Sequence, residues 1–163
     1  HFGVSNQNPM MMELLKTAVK QPLKVNQLQL SAAFTPSFEA GFHVNMEGPK
    51  AAVRDGSVFE YCRLTDTVIQ AWSVLQHGYF KGNFVGKEEF AALNHVLTDL
   101  AKKYQVTPTA IALAWVLRYP GKMQAVIGTT KPQHVLEAGK AATVTLTRKE
   151  WYQIYLAAGN DLP

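Results

Sequence analysis

At 163 residues the chain is long enough to bury one sizeable core, and 47% hydrophobic against 17% charged residues excludes a disordered protein. The longest apolar run, around Ala110 to Leu117, falls well short of the roughly 18 residues a membrane helix needs, and the lone Cys62 has no intrachain disulfide partner, so a reducing, cytoplasmic setting is expected. The net charge of +4 does not mark a nucleic-acid binder, because Lys and Arg come singly or in pairs (Lys102-Lys103, Arg148-Lys149) without a recognition-helix, zinc-finger or RNA-binding signature.

The chain opens on HFGVSNQNPM, whose Phe2–Val4 reads as the end of a buried strand running into a loop or cap at Ser5-Asn6. Pro9 suits a first helical turn, and Met12, Leu14, Leu15, Ala18 and Val19 form an apolar face, with the Met10–Met12 run read as core filler. Pro22 stops that helix. Leu23–Leu30 (LKVNQLQL) is a strand with Val25, Gln27 and Gln29 on one face and Asn26 on the other. Inward-pointing glutamines are costly in an apolar core, so they hint at a polar site at one end of the strand.

Residues 31–56, punctuated by Pro36, Gly41, Gly48, Pro49 and Gly56, are expected to form a long irregular loop of the kind that serves as a lid or binding segment. Ser57 or Asp55 then caps a short helix ending near Leu64, and VIQAW at 68–72 is a strand followed by Ser73. An amphipathic helix runs from Lys87 to about Tyr104 through Phe90, Leu93, Val96, Leu97 and Leu100. Thr107-Pro108 opens an almost wholly apolar helix to Tyr119, which is therefore buried. Gln124–Ile127 is a strand, Gly128–Thr130 a tight turn and Pro132–Ala142 a helix. Thr147-Arg148-Lys149-Glu150 is a capping box that opens a last helix with Trp151, Ile154, Tyr155 and Leu156.

Four strand–helix alternations predict an α/β fold with a parallel sheet and right-handed crossovers. The loops after the strands carry the unusual polar residues, and ligands sit at that carboxyl end in both barrels and doubly wound sheets. No histidine or Cys62 has metal-ligand spacing, and Ser5 lacks the second glycine of a nucleophile elbow.

GVSN at 3–6, NQLQLS at 26–31, AWS at 71–73, VIGTTKPQHV at 126–135 and the helix pair ending in TPTAIALAWVLRYP together resemble the carboxy-terminal half of the aldo-keto reductase family. The 31–56 segment is most similar to a bacterial subgroup of that family. The resemblance implies half of a (β/α)8 TIM barrel, with residues 1–163 forming four parallel strands that alternate with helices and a C-terminal helix. It explains an opening inside a strand: the chain corresponds to strands five to eight. The family's Asp, Tyr, Lys and His tetrad belongs to the first four strands, and Tyr61, Lys81 and Asp55 lack the spacing to substitute for it.

The resemblance further implies a nicotinamide cofactor, NADPH with NADH possible, and a small carbonyl substrate in the intact barrel. Ser5, Asn6 and Gln27 match positions that bind the nicotinamide carboxamide, although Asn6 read alone is a helix N-cap. Trp72 matches the aromatic, commonly Tyr, that stacks on the nicotinamide. Ser73, Leu75 and Gly78 fall on the pyrophosphate loop; Gly128, Thr129, Thr130, Lys131, His134 and Glu137 fall around the adenosine phosphate at a helix N-terminus.

Three positions depart from the family. Val74 replaces a proline, implying a less rigid loop; Gln7 replaces an aromatic; His134 replaces an Arg that grips the 2′-phosphate, with Lys131 as a compensating charge. The alternative reading is a non-catalytic cofactor-binding or regulatory half-barrel that self-associates through its exposed sheet edges.

Overall fold

A computed structural model describes residues 1–42, 57–78 and 81–162. The strands β1 (Phe2–Ser5), β2 (Leu23–Gln29), β3 (Val68–Trp72) and β4 (Met123–Ala125) form one sheet in the order β1-β2-β3-β4, and every neighbouring pair is parallel. Between and after them lie α1 (Pro9–Ala18), α2 (Pro36–Phe42), α3 (Val58–Leu64), α4 (Ala91–Tyr104), α5 (Pro108–Leu117), α6 (Pro132–Gly139) and α7 (Arg148–Ala157). This is the α/β arrangement of half a (β/α)8 barrel.

The sheet has two unlike faces, because side chains alternate along each strand. Asn26, Leu28, Ile69 and Ala71 point to the helices and are buried. The opposite face carries Gly3, Ser5, Val25, Gln27, Gln70 and Trp72, which remain exposed or half-buried. Gln27 thus lies on this polar, open face and not in an apolar core, and Asn26 is the polar residue buried against the helices. Its Nδ2 donates to the Gln7 carbonyl (2.8 Å) and its Oδ1 accepts from the Gln7 N–H (3.4 Å), which satisfies a group that would otherwise be expensive to bury.

α5 is buried from Ala110 to Val116, as its uniformly apolar sequence requires. It locks onto α7 through a reciprocal exchange: Trp115 Nε1 donates to the Trp151 carbonyl and Trp151 Nε1 to the Trp115 carbonyl, both at 3.0 Å. The two indoles stack at 4.8 Å between centroids. The capping box at the start of α7 is present, and its Glu150 also accepts from Lys103 Nζ (2.5 Å) and Tyr104 Oη (2.8 Å), so α4 is tied to the same point.

Several sequence expectations need correction. The 31–56 segment is not irregular in its first part: Ser31 and Phe34 pair across a turn, and Pro36–Phe42 is a helix. Phe38 holds that helix in the core against Phe59, Trp115, Tyr119, Trp151 and Tyr155, partners too distant in sequence for a local period to reveal. The remainder of that segment, including Asp55, lies outside the described residues. Ser57 precedes α3 in the left-handed region (φ 67°) and makes no side-chain cap hydrogen bond.

The α1 face is only partly internal, with Met12 buried while Met10 and Leu14 are 75% and 64% exposed. The helix flanks an edge strand and has a sheet neighbour on one side alone. β4 begins one residue earlier and ends two residues earlier than expected, although Val126 N still pairs with the Ala71 carbonyl (2.8 Å), and residues 126–131 form no tight turn. The Lys87–Tyr104 helix opens with a 3₁₀ turn at Glu88–Phe90, and α6 passes into another at Lys140–Thr143.

Glu150 makes the fold sensitive to acid. Burial acts to raise its carboxyl, but the hydrogen bonds from Lys103, the Thr147 backbone and hydroxyl, and Tyr104 outweigh it and hold the group down at about 2. A depressed carboxyl contributes stability that is complete above its unfolded value and is lost as pH falls toward the folded one. Urea midpoints are therefore expected to drop between about pH 4.5 and 2 more steeply in the native protein than in Glu150→Gln. Parallel pH profiles would show the ion-pair network to be energetically silent.

Candidate functional site at the carboxyl ends of the strands

Three of the sheet's four exits share an unusual backbone feature. Asn6 after β1 (φ 54°), Ser73 after β3 (φ 53°) and Gly128 beyond β4 (φ 56°) all adopt the left-handed conformation. For Asn and Ser this costs roughly 1–2 kcal/mol, which surrounding structure must offset. At Gly128 the missing side chain removes the cost, and an added Cβ would meet nothing within 4 Å.

The first exit gathers four of the residues singled out in the sequence. Asn6 N donates to the Gln27 carbonyl (2.9 Å), and Ser5 Oγ donates to the same carbonyl (3.3 Å). Asn6 Nδ2 donates to Ser5 Oγ (3.2 Å), while Trp72 Nε1 donates to Asn6 Oδ1 (3.4 Å). Asn6 is therefore not the helix cap. That role falls to Asn8, whose side chain accepts from Met11 N (2.9 Å).

Two further residues join this group that the sequence did not single out. Ser5, Gln27, Gln70 and Gln124 stand on one rung across all four strands, by the pairings Ser5↔Gln27, Gln27↔Gln70 and Gln70↔Gln124. Gln27 Nε2 donates to Gln70 Oε1 (3.2 Å), and Gln70 Nε2 donates to Gln124 Oε1 (2.7 Å). The alternation in VIQAW marks Gln70 as facing away from Ile69 and Ala71, but only the pairing register brings the three amides together. Beside this row lies an open concavity of about 440 Å³, lined by Gly3, Ser5, Val25, Gln27 and Gln70 among others.

The loop after β3 carries Ser73, Leu75 and Gly78. The Ser73 carbonyl accepts from Gln76 N (2.8 Å), and the Leu75 carbonyl accepts from Phe84 N (3.0 Å). Leu75 packs against the core and Val74 is buried within it, so the loop is pinned by side chains although the family's proline is missing. Gly78 has a positive φ of 153°, and an added Cβ would press on Lys81 Cδ at 3.0 Å.

A second group forms at the β4 exit. Thr129 Oγ1 accepts from Lys131 N (3.3 Å) and lies 3.4 Å from His134 Nδ1. Lys131 is the N-cap residue of α6 and makes no side-chain cap bond, so the first amides of that helix are not capped by it. Lys131 and His134 are exposed, and Glu137 accepts from Gln133 Nε2 at 3.0 Å.

Burial pushes the Cys62 thiol up to about 11, against a smaller opposing effect of the Asn26 amide, which leaves it a poor nucleophile. Among the described residues no group of His, Cys, Asp or Glu is arranged to hold a metal, and no helix is long and apolar enough to cross a membrane. Tyr61 lies on α3, where its hydroxyl accepts from Lys16 Nζ at 2.7 Å.

The aldo/keto reductase family profile matches residues 1–157. A 6-dehydroglucose reductase of Agrobacterium fabrum is 32% identical over 98% of this chain and 47% of its own length. The chain spans about half the length of the curated relatives it matches. Among solved structures, a thermostable aldo-keto reductase in complex with the inhibitor epalrestat superposes with a TM-score of 0.66 at 21% identity, covering 95% of this chain and 47% of that one. An aldo-keto reductase complexed with NADPH gives 0.64 at 17% identity over 95% and 41%. A family match across nearly the entire chain, together with the parallel sheet and its polar strand exits, establishes that the chain belongs to the aldo/keto reductase family.

Proposed function

We propose that this chain is the cofactor-binding, carboxy-terminal half of a barrel that reduces small carbonyl compounds with NADPH. The observation that carries the reading is the hydrogen-bonded convergence of Ser5, Asn6, Gln27 and Trp72 at one strand end. Amide side chains offer both donors and acceptors, which suits them to a carboxamide, and the half-buried Trp72 offers an aromatic surface for a planar ring. Ser73, Leu75 and Gly78 border the pyrophosphate through loop backbone. Gly128, Thr129, Thr130, Lys131, His134 and Glu137 surround the adenosine phosphate, where the α6 N-terminus favours an anion.

A bound nicotinamide nucleotide supplies the hydride. The residues of this chain orient its ring and hold its phosphates, and the reaction's proton donor belongs to the Asp-Tyr-Lys-His set that the family resemblance assigns to the other half. Similarity to a 6-dehydroglucose reductase supports a small polar carbonyl, such as an oxidised sugar, as the first substrate class to test.

One observation favours the second reading, a half-barrel that associates without catalysing. Phe2, Met10, Met11 and Leu14 are between 46% and 75% exposed around the β1 edge. Such an apolar edge calls for a covering partner.

Titration of NADPH into the intact polypeptide, followed by tryptophan fluorescence, tests the leading reading. Trp72→Ala is expected to weaken NADPH about tenfold, the value of one aromatic stacking contact. His134→Arg is expected to raise the NADPH-over-NADH preference by about tenfold through a charge-assisted contact with the 2′-phosphate. No binding by the native protein would remove the proposal. The 163-residue chain alone is expected to sediment as a dimer or larger and to show no aldehyde turnover; turnover with clean controls would mean that it needs no unlike half.

A further inference from the structure

The amides at the first strand exit are ordered in two ways: the Trp72 indole sets the sense of Asn6, and Gln27 is joined head to tail with Gln70 and Gln124. An indole N–H only donates, so the 3.4 Å contact from Trp72 Nε1 requires the oxygen of Asn6 to face Trp72. Asn6 Nδ2 then points to Ser5 Oγ (3.2 Å) and keeps one further hydrogen. In Gln27 the nitrogen is engaged instead: it donates to Gln70 Oε1, and Gln70 in turn donates to Gln124 Oε1, so every amide in the row points the same way. Gln27 Oε1 is left as an acceptor. One donor from Asn6 and one acceptor from Gln27 are the complement of a primary carboxamide, which offers one oxygen and one NH₂.

We infer that Gln70 and Gln124 are positioning residues that hold the Gln27 amide oxygen toward the carboxamide of the nicotinamide ring, with the Trp72 indole holding Asn6 in the opposite sense. This rests on the proposed function for the identity of the ligand. Without the row, the half-buried Gln27 amide turns freely and presents its NH₂ as often as its oxygen, and two donors facing a carboxamide leave the ligand's NH₂ without an acceptor. Gln70 touches Gln27 and Gln124 by its amide and acts on the ligand only through Gln27.

The test compares NADPH with its 3-acetylpyridine analogue, in which a methyl group replaces the amide NH₂ and the carbonyl remains. Both are titrated into the intact polypeptide, with 2′,5′-ADP as a control for the adenosine end. The native protein is expected to prefer NADPH about tenfold, one ordinary hydrogen bond. Gln70→Met is expected to bring the ratio within about twofold, with 2′,5′-ADP binding unchanged. Gln70→Glu, whose carboxylate still accepts from Gln27 Nε2, is expected to retain the native ratio.

A native ratio in Gln70→Met, or a Gln70→Glu as damaging as the Met variant, overturns the inference. If Gln70→Met loses 2′,5′-ADP as well, the exposed Gln124→Met decides, and an unchanged ratio there overturns it too. A native protein that binds neither NADPH nor 2′,5′-ADP overturns the proposed function and this inference together, whereas binding with an insensitive ratio overturns this inference alone.

Discussion

Parallel register is the constraint on which both the core and the candidate site depend. Because side chains alternate strictly, the pairing that puts Asn26 beside Ile69 on the helix side also puts Gln27 beside Gln70 on the other. A slip of one residue in β2 or β3 would exchange the faces. Leu28, Ile69 and Ala71 would lose their helix cover, and the glutamines would enter an apolar layer at a cost of roughly 2–7 kcal/mol for each unpaired amide. Core burial therefore fixes the amide row, and the row needs no separate determinant of its own.

The helix layer supplies the stability that the strand exits consume. Asn6 and Ser73 hold left-handed backbones that other conformations would relieve, and such residues persist only where neighbouring structure overdetermines them. Here the bracing is remote. The Trp115–Trp151 exchange joins α5 to α7, and Glu150 joins α4, through Lys103 and Tyr104, to the capping box of α7. Val74 and Leu75 carry that support to the loop after β3 by entering the same core.

What could be seen in the sequence was whatever depends on local chemistry. The Thr107-Pro108 cap, the Thr147–Glu150 capping box, the apolar run of α5 and the order of strands all follow from neighbours within a turn or two. Family resemblance points to Ser5, Asn6, Gln27 and Trp72 together, and hydrogen bonds link them at one strand end. What stayed hidden depends on residues far apart along the chain. The Pro36–Phe42 helix exists because Phe38 finds aromatic partners as distant as Tyr155. Asn26 is tolerated in the core because the Gln7 backbone meets it, and Gln70 and Gln124 become a row only once β2, β3 and β4 are paired. The Asn8 cap was overlooked beside the more conspicuous Asn6, although Asn8-Pro9 is itself a cap-and-first-turn signal.

The edges of the sheet bear on what completes it. Apolar exposure is heavy on the two flanking helices: Met10, Met11 and Leu14 on α1, and Val135 and Leu136 on α6. Covering both flanks at once is what closure into a barrel would accomplish, since each edge strand would then gain a parallel neighbour and each flanking helix a second one. Two copies related by a twofold axis along the barrel would satisfy the edges equally well, with β4 of each copy against β1 of the other. The chemistry distinguishes the two closures. A pair of identical halves brings together two sets of Ser5, Asn6, Gln27 and Trp72, the groups proposed to orient a ring, and repeats the same strand exits without adding a second kind. The proposed reduction, whose proton donor is assigned to the other half, therefore calls for an unlike half across the same edges, whereas self-closure fits the second reading, a half-barrel that associates without catalysing.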